Sequence, residues 1–257
     1  MKNSEIWIAF VTILLREIRR FTRIWPQTLL PPAITMTLYF AIFGNLIGDR
    51  IGEMGGFSYM QYIIPGLIMM SVITNSYSNV ASSFFSAKFQ HSIQELLVSP
   101  TPNWVILVGY VLGGVARGLC VGLIVTVLSL FFTHLALQSL FLTVLVVCLT
   151  SIMFSLGGFV NAIYARSFDD VSIVPTFILT PLTYLGGVFY SIDLLPDFWQ
   201  KMSMLNPVLY MVNAFRYGIL GVSDINVYSA LIIVSLFIVV LFWYGLRLLN
   251  QGKGIRN

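Results

Sequence analysis

"GLCVGLIVTVLSLFFTHLALQSLFLTVLVVCLTSIMFSLGGFVNAIYA", residues 118–165, runs for 48 positions without an Asp, Glu, Lys or Arg. A helix that crosses a bilayer needs about 20 predominantly apolar residues, so this stretch has room for two. Its polarity rises once, at "THLALQS", Thr133–Ser139, which reads as the turn between them. The pattern continues in both directions: charge-free intervals of 25, 34, 22 and 22 residues separate Arg23 from Asp49, Glu53 from Lys88, Asp170 from Asp193 and Asp224 from Arg247. Of the 257 residues, 58% are hydrophobic and 9% charged, with a mean hydropathy of +0.88, against about 25% charge in an ordinary soluble domain. The expectation is an all-α polytopic membrane protein, residues 1–257 forming a single transmembrane domain with six spans near 26–47, 59–82, 104–131, 140–164, 172–190 and 228–249. The apolar character runs through the whole chain, and residues 1–25 are too basic and interrupted to resemble a cleaved signal peptide.

An even number of spans puts both termini on one side, and the basic residues choose the side. Lys2, Arg16, Arg19, Arg20, Arg23, Lys88, Arg166, Arg247, Lys253 and Arg256 fall together, against Arg50, Lys201 and Arg216 on the other face. The positive-inside rule therefore predicts cytoplasmic termini. Anionic lipid headgroups suffice to attract such flanks, so the net charge of +4 implies no nucleic acid. Cys120 and Cys148 fall inside spans, where free cysteine acts as a small apolar residue rather than half of a disulfide.

Two amphipathic segments interrupt the greasy pattern. In Phe84–Leu97, a helical period puts Phe85, Phe89, Ile93, Leu96 and Leu97 on one face and Lys88, His91, Gln94 and Glu95 on the other. Pro100 and Pro102 end it, since each lacks the amide hydrogen a continuing helix needs. The segment is either a loop resting on the membrane or a docking knob for a cytoplasmic partner, and its mixed charge suits a protein surface. Before the first span, "SEIWIAFVTILLREIRRFTRIWP" gathers Arg16, Arg19, Arg20 and Arg23 on one face, with Phe10, Ile13, Leu14, Ile18, Phe21 and Trp25 covering the rest. That segment is expected to lie in the cytoplasmic headgroup region, Trp25 anchoring it and Pro26 starting the span.

Several chemistries lack their residues. There is no GxxxxGK[ST] phosphate loop, and "GKG" at 252–254 lacks its spacing. Two histidines and two cysteines, scattered, make no zinc site. Asp169 and Asp170 are neighbours beside the membrane rather than separated intramembrane acids. No buried chain of acids suggests a proton-driven carrier. Any energy source is expected on another polypeptide.

The chain resembles the membrane permease subunits of type-2 ABC transporters. The resemblance is carried by the basic N-terminal helix, by "QELLVSPTPNWVILVGYVLGGVARGL" (Gln94–Leu119), by "SFDDVSIVPTFILTPLTYLGGVFYSIDLLP" (Ser167–Pro196), and by "LNPVLYMVNAFRYGILG" (Leu205–Gly221). It implies a bacterial inner-membrane exporter permease, working as a homodimer bound to two copies of a separate cytoplasmic ATPase that would bind ATP and Mg, with no cofactor in this chain. It also implies that Phe84–Leu97 is a coupling helix, with Phe85, Lys88, Phe89, His91, Ile93, Glu95 and Leu96 engaging the ATPase. Arg16, Arg19, Arg20 and Arg23 would belong to a connecting helix packed alongside it.

Within the membrane, span two carries Ser71, Thr74, Asn75, Ser78, Asn79 and Ser82 at helical spacing, too many polar groups to face lipid. Span five repeats the pattern with Ser172, Thr176, Thr180, Thr183 and Tyr184, its backbone loosened by Pro175 and Pro181. These stripes either bond neighbouring helices or wall a transport path. Arg117, well inside span three, needs protein or water around it, and a structural role is favoured over contact with an anionic substrate. Gly109, Gly113, Gly114, Gly118 and Gly122 let another helix approach the same span. Between Ser191 and Asn226, Pro196 and Pro207 cut the chain into pieces too short to span, which are expected to form either two short helices dipping into the outer leaflet to close the exit or a simple extracellular lid with no gating role. The expectation is a permease half of an ATP-driven exporter for an amphiphilic, drug-like or lipid-linked substrate. The alternatives are a non-transporting membrane assembly or scaffold protein, and an intramembrane enzyme, for which no nucleophile–base pair is evident.

Overall fold

Helices make up nearly all of the computed structural model, which describes residues 2–135, 137–252 and 254. Their order is α1 (Asn3–Arg23), α2 (Trp25–Thr28), α3 (Leu30–Ala41), a π-helical turn (Ile42–Ile47) and α4 (Gly48–Ile51). A minimal hairpin, β1 (Glu53–Met54) with β2 (Phe57–Ser58), leads into α5 (Tyr59–Phe89), α6 (Ser92–Val98), α7 (Asn103–Ser129) and α8 (Leu140–Tyr164). Then come α9 (Phe168–Val174), a second π turn (Pro175–Leu179), α10 (Thr180–Leu185), a 3₁₀ turn (Ile192–Leu194), α11 (Asp197–Met204), α12 (Pro207–Leu220) and α13 (Val227–Gln251). Among the described residues, α7, α8 and α13 are long and apolar enough to cross a membrane by length and composition. Of the basic residues weighed for topology, Lys253 and Arg256 lie outside the described residues.

The proline positions account for the broken segments. The expected first span is divided, because Pro26 opens α2 and Pro31 and Pro32 stand at the start of α3, where their missing amide hydrogens cost nothing. The fifth is divided at Pro175, and the Thr180 hydroxyl donates to the Pro175 carbonyl at 3.0 Å. It stops at Gly186 and at Gly187, whose φ is +69°, a left-handed conformation that favours glycine. The helical segment therefore runs from Phe168 to Leu185, displaced toward the N-terminus from the expected 172–190.

α5 is the central element. It has 31 residues, about 46 Å at 1.5 Å per residue, and is packed on most of its circumference by α7, α8 and α12. Two apolar cores result. One gathers Phe40, Tyr62, Leu67, Val72, Val125, Met153, Met211 and Phe215; the other gathers Ile13, Phe84, Phe85, Ile93, Tyr110, Phe159, Ile163 and Leu248. Between them α5, α7 and α8 meet through Ser76, Gly114, Gly118, Ser151 and Ser155. A side chain at Gly114 or Gly118 would collide with these serines, so the glycines set the interhelical distance.

The α7 glycine stripe also receives α1. Ile13 packs on Gly109, where an added Cβ would come within 2.5 Å, and Glu17 packs on Gly113. Equal steps of four along both helices mean that α1 runs lengthwise beside α7. The removal of two side chains from α7 makes that approach possible.

Candidate functional site

The segment Phe84–Leu97 is not one amphipathic helix. α5 continues through Phe89 because Phe84 and Phe85 find aromatic partners far away in sequence: Phe84 on Phe159 and Tyr110, and Phe85 edge-on to Phe168 at 4.9 Å. The chain then turns at Gln90–His91. His91, at φ 59°, is the one non-glycine residue in the left-handed region among the described residues, a conformation that costs roughly 1–2 kcal/mol. α6 follows and ends at the Ser99–Pro100 turn. The shared apolar face expected for this segment is thus corrected: Phe85 and Ile93 are each 1% exposed and belong to the core. Phe89 is 60% exposed, His91 and Glu95 are exposed, and Leu96 is half-buried.

Lys88 is turned inward. Its amine donates to the carbonyls of Ile163 and Ala165 at 2.6 and 2.7 Å, tying this end of α5 to the last turn of α8. Burial, then the nearby Arg166, hold it below the usual lysine range. Phe89, Lys88, His91, Tyr164 and Arg166 rim an open pocket of ≈ 770 Å³. Beside it Ser167 and Asp170 form a capping box at the start of α9. The amide hydrogens of Arg166 and Ser167 and the Ser167 hydroxyl hold the Asp170 carboxyl below the usual range. That gives Asp170 a capping role.

The second cluster lies where α1 meets α5 and α7. Glu17, 1% exposed, accepts from the Ser83 hydroxyl at 2.5 Å and pairs with Arg20 at 3.4 Å and Arg16 at 3.6 Å. Arg16 donates to Tyr110 Oη at 2.6 Å. Arg20 donates to both the side-chain oxygen and the carbonyl of Asn79 at 2.8 Å. One turn along α5, Asn75 Oδ1 accepts from Arg117 at 2.9 Å, and Arg117 also reaches the Thr28 carbonyl at 3.2 Å. The cluster is short of acceptors: Arg117 Nε and Asn79 Nδ2 are buried with no hydrogen-bond partner among the described residues. Arg19 and Arg23 remain exposed.

These contacts divide the span-two stripe. Ser71, Asn75 and Asn79 are buried, the asparagines committed to arginines, while Thr74 is exposed and Ser78 and Ser82 half-exposed. On span five, Thr176 and Thr180 are exposed, and Thr183 is buried and bonded to the Thr180 carbonyl at 2.8 Å. Thr74, Ser78 and Ser82 of the first stripe and Ser172, Thr176, Thr180 and Tyr184 of the second are the stripe residues presented at least partly on an unpacked face.

The third cluster escaped the sequence reading, which counted Arg216 among the outer basic residues. It is 0% exposed. From α12 it donates to the carbonyls of Gly187 at 2.6 Å and Tyr62 at 3.3 Å, and its guanidinium lies 4.0 Å from the Tyr62 ring centroid and 4.0 Å from Asp224. Asp224 in turn accepts from Tyr62 Oη and from the Ile192 amide at 3.4 and 3.2 Å. Next to this, α5 approaches the Gly186–Val188 turn so closely that a Cβ on Gly66 would come within 2.5 Å of the Val188 carbonyl. The signals were present in the sequence. Arg216 stands inside an apolar helical run, and Glu17 sits on the same i, i+4, i+8 line as Ile13 and Phe21.

Residues 8–220 match the family profile described as ABC-2 type transporter. The chain belongs to the ABC-2 type transporter family. The family match runs from within α1 to the end of α12, and so takes in the first two clusters and, of the third, all but Asp224. Among relatives, the chain is 59% identical to the inner membrane transport permease YadH of Escherichia coli K12 over 251 residues, 98% of each chain. It is 22% identical to nodulation protein J of Neorhizobium galegae over 247 residues, 95% of this chain and 94% of the other. Its match to nodulation protein J of Rhizobium leguminosarum bv. viciae is also 22%, over 83% of each.

Proposed function

We propose that the chain is the permease subunit of an ATP-driven exporter in the bacterial inner membrane, a homodimer energised by two copies of a separate cytoplasmic ATPase that binds ATP and Mg. The observation that carries this reading is the identity with an inner membrane transport permease across almost the full length of both chains, together with family membership. Six spans, with α2 to α4 and α9 to α10 as the two segmented ones, leave both termini in the cytoplasm. The turn at Gln90–His91, with exposed Phe89 and the adjoining basic pocket, is the part that receives the ATPase.

ATP binding would draw the two ATPase subunits together and push on this turn. Lys88 ties the turn to α8, so the push reaches the bundle instead of bending a loop. The two permease copies would then rock as bodies. The unpacked faces of α5 and α9 to α10, bearing Thr74, Ser78, Thr176, Thr180 and the exposed Phe177, are where a second copy and the path between copies belong. α11 and α12, too short to span, would close the outer end. Weakly polar walls with aromatic groups suit an amphiphilic substrate, drug-like or lipid-linked. The test is co-purification of the tagged permease with a soluble phosphate-loop ATPase, followed by a screen for compounds that stimulate its ATP turnover. A permease that recruits no such ATPase, in any nucleotide state, would refute the proposal.

A further inference from the structure

The arginines of α1 form a groove with an unusual balance of charge. Thr12, Leu15, Arg16, Arg19, Arg20 and Arg23 line an open hollow of ≈ 840 Å³. Between Thr12 and Ile24 the one acid is Glu17, and it is turned away from the groove, buried against Gly113 and Ser83. Glu17 pairs with Arg16 and Arg20 from beneath, and the same two arginines donate to the buried Tyr110 Oη and Asn79 Oδ1. Two guanidinium groups are thus held in place by the fold, and Arg19 and Arg23 stand free beside them. Arg117 adds a further cation next to Arg20, with an amide and a carbonyl as its partners.

Position narrows what such a groove can take. From Tyr59 at the outer end of α5 to Asn79 is 20 residues, about 30 Å of helix and about one hydrocarbon thickness. In the topology proposed above, on which this placement rests, Arg20, bonded to Asn79, stands at the level of the inner-leaflet headgroups. Toward the outer face from it the surface turns apolar, with exposed Ile24, Trp25, Leu30 and Ile34. We infer that the α1 groove is a binding site for the anionic headgroup of an inner-leaflet amphiphile, its phosphate or carboxylate held by Arg16, Arg19 and Arg23 and its apolar chain lying along α2 and α3. Bulk attraction of a basic helix to an anionic membrane would need neither the inward-turned acid nor the fixed guanidinium pair.

The experiment uses the purified full-length permease in neutral detergent, without ATPase or nucleotide, so that failure of the transport reading leaves it intact. Binding of short-chain phosphatidylglycerol is compared with that of phosphatidylcholine of the same chain length, by thermal shift and by mass spectrometry of the intact complex. The expected result is a preference for phosphatidylglycerol of about tenfold or more, abolished in Arg19→Gln/Arg23→Gln and kept in Arg19→Lys/Arg23→Lys. Neither residue is part of the Glu17 network, so the Gln pair should purify normally. If it does not, the single variants carry the test, each losing part of the preference. Glycerol 3-phosphate at equal concentration should fail to compete. Equal binding of the two lipids, or a preference that survives the Gln variants, overturns the site. Full competition by glycerol 3-phosphate or inorganic phosphate overturns the amphiphile assignment in favour of a free phosphate.

Discussion

The two ends of α5 are held by arginines in opposite ways. At the Tyr62 end, the outer one in the topology proposed above, Arg216 is enclosed completely, with two carbonyls, an aromatic face and Asp224 around it. At the inner end Arg16 and Arg20 share a single carboxylate, Arg117 beside them has only an amide and a carbonyl, two buried donors lack acceptors, and two more arginines of α1 are exposed. A buried charge is tolerated only when it is paired and hydrogen-bonded. The outer cluster meets that condition from within one chain and so behaves as a finished lock between α5, α12 and the turn after α10. The inner one is cation-rich and open, the character of a surface that meets something else.

That contrast predicts unequal sensitivity to mutation. Arg216→Met should have the largest effect. It leaves a half-buried Asp224 and two carbonyls without their cationic partner, and removing one member of a buried pair costs up to about 3–5 kcal/mol. Thermal melting of the purified protein should fall sharply, and an unchanged melt would mean that Arg216 is not the lock described. Glu17→Gln should cost less, about 1.5–3 kcal/mol for hydrogen bonds to a charged group, and locally: α1 should become protease-sensitive at temperatures where the rest of the bundle stays intact. Simultaneous loss of α1 and the bundle would show that the inner cluster is as integral as the outer one.

The reading of the sequence fared differently at the two ends for the same reason. α7, α8 and α13 start and stop within about two residues of the expected spans, because a charge-free interval bounded by polar residues is a local signal. The glycine stripe on α7 was equally legible, being a spacing within one helix. What was hidden depends on partners distant in sequence. Phe85 looked like part of the face of an interfacial helix, but it packs on Phe168, and its neighbour Phe84 on Phe159, so that both are core and α5 extends past its apolar stretch. Glu17 looked like one more polar residue among arginines. Arg216 looked like an outer loop charge, since nothing local announces that Tyr62 and Gly187 close around it.

The asparagines of span two sharpen the inner half of the comparison. Because Asn75 and Asn79 hold Arg117 and Arg20, replacing both with Leu should lower stability modestly, about 1 kcal/mol for two intramembrane contacts, and leave the profile of stimulating compounds unchanged. Thr74→Leu/Ser78→Leu should do the reverse: no measurable loss in melting temperature, and an altered stimulation profile if that face lines the path. Should the asparagine variant alone change the profile, the path runs on the buried side of the stripe instead.

The most direct test of the coupling account is ATP turnover by the co-purified complex carrying Phe89→Asp. Phe89 is exposed and Phe85 is core, so this single change places a carboxylate on the docking turn without disturbing the fold, which the melting curve verifies. The account predicts a normally folded permease that has lost most of its bound ATPase, or retains it without stimulation by compounds that activate the wild type. A Phe89→Asp complex with wild-type ATPase content and wild-type stimulation would contradict it.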